Sequence, residues 1–285
     1  MSGKRRQNPV VRQLAVWLLL AAGSAVMLFP LFSDACHMLR QSMQMESYSQ
    51  EMEGQISREK DRWRAEAEAY NQAIARQQRV TLFSYRGAQA SDPAYEAALG
   101  GPDRPMCVLE VPSAGICLPV MHGTAEAVLT VCAGHMYGSS LPLGGESTHS
   151  VLTGHTGLPT ARLFTDLHKV QEGDEVFIRV LGECHRYTVS RIRVVLPEDE
   201  REYLQVEEGR DLLTLYTCTP YGINDHRLLV RCVRSLPDPP ADETGEEGHA
   251  RQAVRAAAAA AGLAAVPVLL LAAGLLRIRA AGKKK

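Results

Sequence analysis

Residues 14–32, LAVWLLLAAGSAVMLFPLF, run for 19 positions without a charged side chain. As a helix at about 1.5 Å per residue this is roughly 28 Å, close to the hydrocarbon thickness of a bilayer. A second uncharged run covers 256–276 and contains Gly262 and Pro267. Its proline predicts a kink, which a membrane span tolerates. Two transmembrane helices are therefore expected, at 14–36 and 256–276. From 37 to 80 the pattern changes to Gln, Glu, Arg, Met and Ala without proline, and Trp63, Ala67, Tyr70 and Ile74 recur at helical spacing. That periodicity predicts an amphipathic helical stalk over 37–87, laying one stripe on a neighbouring domain. Residues 88–104 switch to a Gly/Ala/Ser/Pro-rich loop with a short helical piece near Tyr95.

From Met106 onward the period becomes two. Short strands are expected at 106–111, 116–120, 150–153, 175–180, 185–196, 211–217 and 226–233, separated by turn signals such as Gly144-Gly145 and Glu172-Gly173-Asp174. Residues 158–167 look like a short helix or turn. Many short strands within 105–234 predict a mainly β domain, a closed barrel or sandwich, large enough to bury a core. An acidic, proline-rich linker, beginning SLPDPPADETGEEGH, occupies 235–255 and leads to the second apolar run.

Composition and charge sharpen this picture. A hydrophobic fraction of 46% excludes a mainly disordered chain, and a net charge of −1 argues against a nucleic-acid partner. The near-zero charge conceals an asymmetry. The tips at 1–13 (Lys4, Arg5, Arg6, Arg12) and 277–285 (Arg277, Arg279, Lys283, Lys284, Lys285) contain no acid, so the middle of the chain is acidic. Positive flanks stay cytoplasmic. The expected topology is two-pass, with both termini inside, the β domain outside and the lipid bilayer as a partner. A cleavable signal peptide is the rival for the first run, but the run is long for one and no Ala-x-Ala site is evident. A buried core helix is the rival for the second, disfavoured by the basic tail.

Seven cysteines (36, 107, 117, 132, 184, 218 and 232) leave at least one thiol unpaired. Cys107 and Cys117 face each other in an expected strand–turn–strand, without establishing a disulfide. Cys132-x-x-His135 and Cys184-His185 are fragments of metal-ligand spacing that lack a second pair, so no metal is expected. Nucleophilic chemistry is the stronger candidate. Cys218 closes the apolar strand LLTLYTC, His155 ends the run VLTGH, and Arg227 begins the strand after the loop TPYGINDH. A strand-end thiol with a base and a cation brought back beside it is the arrangement that activates a nucleophile.

At these residues the sequence resembles the sortases. TLYTCTPYGINDHRLLVRC is similar to the segment that carries their nucleophilic Cys and catalytic Arg, and VLTGHTGLPTARLFTDL to the segment that carries their His. CVLEVPSAGICLPVMHGT and GHMYGSSLPLGGESTHSVLTGH extend the likeness to the class C, pilin-polymerising sortases, from residue 68 to 234. The resemblance implies a closed sortase-type barrel of about eight strands with short helices, a helical stalk, a lid and two membrane helices. It implies that Cys218 attacks the Thr–Gly carbonyl of an LPxTG-like sorting signal to give a thioester. His155 would be general acid and base, and Arg227 would stabilise the carbonyl or oxyanion. The partners implied are pilin subunits carrying that signal and an acceptor lysine, with no cofactor. His135, His149 and His226 do not occupy the family's His position. Class C enzymes also carry a lid with an Asp-Pro-aromatic tripeptide. Here Asp92 and Pro93 are present, Ala94 stands where the aromatic is expected, and Tyr95 comes one residue late. The resemblance makes Asp92, Pro93 and Tyr95 a candidate lid over the thiol, with Asp92 meeting Arg227 or Cys218. The alternative is an N-capped helix with Pro93 at its first position. Two further readings remain: a sortase anchoring proteins to peptidoglycan, and a non-catalytic, membrane-tethered binding barrel.

Overall fold

The computed structural model describes residues 9–55, 57–76, 92–238 and 246–282. The expected end of the stalk (77–87), the first lid positions (88–91), the middle of the linker (239–245), residues 1–8 of the N-terminal tip and 283–285 of the C-terminal tip lie outside these residues.

Eight strands close on themselves, in the ring order β1 (Cys107–Val111), β2 (Ile116–His122), β3 (Ala133–His135), β4 (Thr148–Thr153), β7 (Asp211–Thr219), β8 (His226–Arg234), β6 (Glu183–Val195) and β5 (Glu175–Val180), with β5 returning to β1. This is the closed, mainly β barrel that the strand pattern predicts. Two pairings, β2 with β3 and β4 with β7, are parallel.

Three details differ from the sequence reading. β3 is an additional strand of three residues, too short to display a period of two. It lies so close to the turn after β2 that a Cβ on Gly134 would stand 2.3 Å from the Gly123 carbonyl oxygen. β4 begins at Thr148 rather than at 150. All six of its residues are buried, so it shows no alternation, and its polar Thr148 and His149 hide its start. Residues 158–167, expected as a short helix or turn, do form turns, with a 3₁₀ turn at Leu167–Lys169. Cys107 pairs with Val120 and Cys117 with Glu110, so these two cysteines are not opposite each other, and all seven thiols are free.

Alternation along β7 and β8 sorts their side chains onto two faces. Leu213, Leu215, Val230 and Cys232 join the main core. Tyr216 and Leu229 face the other way and join Val151, Met136, Leu204 and Ile74 in a second cluster.

Helix α1 (Pro9–Gly54) is continuous for 46 residues, about 69 Å, and passes through Pro30 without ending. The first apolar run and the start of the stalk are thus one helix, and the break comes only before α2 (Ser57–Arg76). Met45, Tyr48 and Met52 of α1 and Trp63 and Ala67 of α2 are buried in the main core. Each of the large side chains contributes about 1.5–3 kcal/mol by burial. Polar contacts fix the register. The Tyr48 hydroxyl donates to Met106 O at 3.2 Å and accepts from Leu181 N at 3.2 Å. Asn71 clamps Leu141 through both its backbone N–H (2.7 Å) and its carbonyl (3.2 Å).

The short helix α3 (Pro93–Ala97) follows, then α4 (Glu126–Leu129) after β2 and α5 (Glu200–Tyr203) after β6. The last helix, α6 (Glu246–Gly282), runs beside α1. Gly274 lies under Trp17, where a Cβ would be 2.4 Å from the indole Cγ, and the Arg277 guanidinium sits 5.8 Å from that ring's centroid. The start of α1 and the end of α6 are therefore at the same end of the pair. Both helices are long and apolar enough to cross a membrane.

Candidate active site

The parallel pairing of β4 with β7 aligns Thr153 with Tyr216. The ladder ends there: His155 lies two residues beyond the end of β4 and Cys218 two residues beyond Tyr216, so both follow the same end of this parallel pair. The chain is held to that register beyond the strand. Gly154 N donates to Tyr216 O at 3.3 Å, the Thr217 hydroxyl lies 2.7 Å from Gly154 O, and the Thr217 and Thr156 hydroxyls are 2.7 Å apart. Gly154 is required by space, because a Cβ would lie 2.8 Å from the Phe164 ring. Phe164 in turn donates its N–H to His155 O at 3.1 Å.

On the other side, the antiparallel pairing of β7 with β8 sets Cys218 opposite Arg227. Directly paired residues share a face of the sheet. Two paired strands thus deliver a thiol and a guanidinium to one end of the barrel wall, and the segment that follows β4 carries the imidazole past the same end.

The thiol of Cys218 is half-buried. Burial pushes its pKa above the ordinary value, the Glu200 carboxylate adds to this, and the Arg227 guanidinium opposes it. Together these influences favour the thiol over the thiolate. His155 places Nε2 3.3 Å from Glu126 Oε2; the imidazole side chain is 17% exposed and the carboxylate 72%, so the base is the sheltered partner. Arg227 is the most constrained of the three. Its Nε donates to the Tyr216 hydroxyl at 2.8 Å, and its Nη1 to Asn224 O and His226 O, both at 3.1 Å. Glu126, Tyr216, Glu200 and Thr217 escape a reading by motif. Only the TLYT strand, with its polar hydroxyls at 216 and 217, hints at them.

The other histidines are placed away from this role. His135 is buried, bonded to Ser140 O at 2.8 Å, and burial pushes its pKa down to about 4. His149 is likewise pushed down to about 4 and is held by Gln205 O and the Thr214 hydroxyl. His226 bonds the adjacent Asp225 carboxylate at 2.7 Å.

Asp92, Pro93 and Tyr95 are not brought to the triad. Asp92 caps α3, accepting from Ala94 N and Tyr95 N at 3.1 and 3.2 Å, and Pro93 is the first helical residue. The other Asp92 oxygen accepts from the Tyr137 hydroxyl at 2.9 Å. Tyr95 is fully buried, with its hydroxyl 3.0 Å from His135 Nδ1 and 2.9 Å from Gly123 N, and its ring against Tyr70, His122, His135 and Tyr137. The expected contacts of Asp92 with Arg227 or Cys218 are replaced by these, because both carboxylate oxygens are engaged by the helix cap and the Tyr137 phenol. Among the described residues no group of three His, Cys, Asp or Glu side chains is arranged to hold a metal.

The sequence model of the sortase domain matches residues 109–235, which include the barrel and all three triad positions. Among solved structures, sortase C-1 of Actinomyces oris is 41% identical, with 62% of this chain and 99% of that chain covered and a TM-score of 0.58. The sortase C of Streptococcus pneumoniae, whose structure concerns catalysis and pilin substrate specificity, is 33% identical, with 68% and 97% covered and a TM-score of 0.60. The chain therefore belongs to the sortase family, whose members are cysteine transpeptidases. Its structural neighbours include class C sortases, together with a sortase A of Corynebacterium diphtheriae that is 40% identical, with 65% of this chain and 97% of that chain covered and a TM-score of 0.58. A curated relative, sortase A of Bacillus anthracis, is 26% identical over 122 residues, which is 43% of this chain and 56% of that protein. The chain thus spans little more than half the length of that relative.

Proposed function

We propose that this protein is a membrane-anchored class C sortase that cleaves an LPxTG-like sorting signal between Thr and Gly and joins the Thr to a pilin lysine. The observation that carries the reading is the pairing of Cys218 with Arg227 across β7 and β8, beside the parallel strand β4 whose C-terminal extension bears His155 at the same end of the barrel.

Because the thiol is favoured over the thiolate, attack requires proton removal. Cys218 gives its proton to His155 as Sγ bonds the Thr carbonyl carbon, and Arg227 donates to the developing oxyanion. Collapse breaks the Thr–Gly bond, His155 protonates the departing amine, and the acyl group remains as a thioester. A lysine amine, deprotonated by His155, then attacks the thioester. An isopeptide bond forms and Cys218 is released as a thiol. The thioester conserves the energy of the cleaved amide, so the transfer needs no nucleotide.

Asp92, Pro93 and Tyr95 serve in this reading as an anchor between α2 and the barrel rather than a plug over the thiol. The basic tips and the paired ends of α1 and α6 support a two-pass topology with both termini cytoplasmic and the barrel outside. The acceptor is a pilin amine rather than peptidoglycan in this reading, supported by the class C likeness across 68–234. The test is incubation of the full chain with a pilin bearing the signal, followed by mass spectrometry. A Thr–Lys isopeptide supports polymerisation, whereas acyl transfer only to a cell-wall peptide amine favours the anchoring alternative. Cys218→Ala should abolish both products, and Arg227→Ala should slow turnover roughly 100-fold or more.

A further inference from the structure

Arg227 stands at the start of β8, next to an exposed turn. A free arginine there would sample many rotamers, and a transition-state cation is useful only when its direction is already set. The structure contains a device that sets it. Arg227 Nε donates to the Tyr216 hydroxyl at 2.8 Å, and that hydroxyl donates its own proton to Glu200 Oε2 at 2.6 Å. Glu200 Oε2 is also 3.8 Å from Nε. The order of donors is fixed, because the guanidinium has no acceptor and the carboxylate no proton to give. Burial and the Glu200 carboxylate both raise the Tyr216 pKa, so the phenol keeps the proton this order requires.

We infer that Tyr216 and Glu200 are positioning residues that hold the Arg227 guanidinium in one orientation on the Cys218 face of the sheet. Both are themselves anchored by the core. The Tyr216 ring lies in the second hydrophobic cluster with Val151, Leu229 and Leu204. Leu204, immediately after α5, is fully buried there and fixes the helix that begins with Glu200. On the far side of the fork, Nη1 is held by Asn224 O and His226 O, and Asn224 is itself pinned by its N–H to Pro220 O at 3.0 Å. Among the described residues nothing accepts from Nη2. Two of the three nitrogens are spent on orientation, and the third is left to donate to a substrate oxygen.

The inference rests on Arg227 acting as proposed above, and the test separates the two. Steady-state kcat and KM for hydrolysis of an LPxTG-type peptide are measured for Tyr216→Phe, Arg227→Lys and the double variant, and for Glu200→Gln and Glu200→Ala. Tyr216→Phe should lower kcat about tenfold with KM unchanged within about twofold. Arg227→Lys, which has no Nε–H to be held, should lower kcat further, and adding Tyr216→Phe should cost nothing more. Glu200→Gln, which keeps an acceptor for the phenol, should lose less kcat than Glu200→Ala. That comparison decides the matter should Tyr216→Phe prove unstable. Multiplicative losses in the double variant, wild-type kcat in Tyr216→Phe, or equal losses in the two Glu200 variants would overturn the positioning role while leaving Arg227 in place. Wild-type kcat in Arg227→Lys would remove the Arg227 assignment and the positioning role with it.

Discussion

At Cys218 two influences oppose each other: burial, aided by Glu200, holds the proton on sulfur, and Arg227 draws it off. Burial wins, so the pKa lies above the ordinary thiol value of 9.0. Alkylation follows the thiolate fraction, so its rate in the free enzyme should climb about tenfold per pH unit through neutrality, with no plateau below pH 9. Arg227→Ala removes the lowering influence and should move the whole profile to higher pH. Iodoacetamide labelling followed by intact mass checks both, and a plateau near neutral pH would contradict the assignment of burial as the dominant cause. Thr217 offers a second check at this scale. Its hydroxyl meets Gly154 O and Thr156 and so holds the segment that carries His155. Thr217→Val loses both bonds, at a cost of about 1–3 kcal/mol in stability. The displaced imidazole should lower kcat by roughly tenfold or more, read in the peptide hydrolysis assay. Unchanged kcat would mean that His155 is placed by other contacts. Cys218, His155 and Arg227 were legible as candidates because each lies in a long motif. Tyr216 and Glu200 were not, because their partnership depends on α5 folding back onto β7, which no spacing in the sequence expresses.

Among the elements, legibility follows amphipathicity. β5, β7 and β8 alternate or carry long apolar runs and were found within a few residues. β3 and the start of β4 were missed, the one because three residues cannot show a period, the other because it is covered on both faces and begins with buried polar groups. The stripe Trp63, Ala67, Tyr70 and Ile74 was legible as a helix face, and it is this face that meets the barrel. What the pattern did not reveal is that α1 carries on from the apolar run to Met52 without a break. Nor did it separate a lid tripeptide from a helix cap, since Asp-Pro satisfies both. Tyr95 distinguishes them. As an anchor, Tyr95→Phe leaves Gly123 N–H and a His135 nitrogen without the hydroxyl, and should cost about 1–3 kcal/mol in a denaturant titration of the folded chain. Its Cys218 alkylation rate should match the wild type. A faster alkylation with unchanged stability would restore the lid role.

For the whole molecule, α1 and α2 tie the barrel to the apolar helix pair through side chains buried in its own core, so barrel and apolar helices are joined by packing rather than by a loose tether. With the start of α1 and the end of α6 at the same end of that pair, external protease on intact cells should, under the proposed topology, digest the barrel and spare tags at either terminus. Loss of a C-terminal tag would rule out the second span. The central claim is that Cys218 forms the acyl-enzyme, and it is tested most directly by trapping that species. The enzyme is mixed with an LPxTG-type peptide without an acceptor amine, quenched in acid and mapped by mass spectrometry. The account predicts a peptide acyl adduct ending in Thr, carried on Cys218, abolished by Cys218→Ala and discharged by a lysine amine. An adduct on any of the other six cysteines, or cleavage of the peptide by Cys218→Ala, would contradict it.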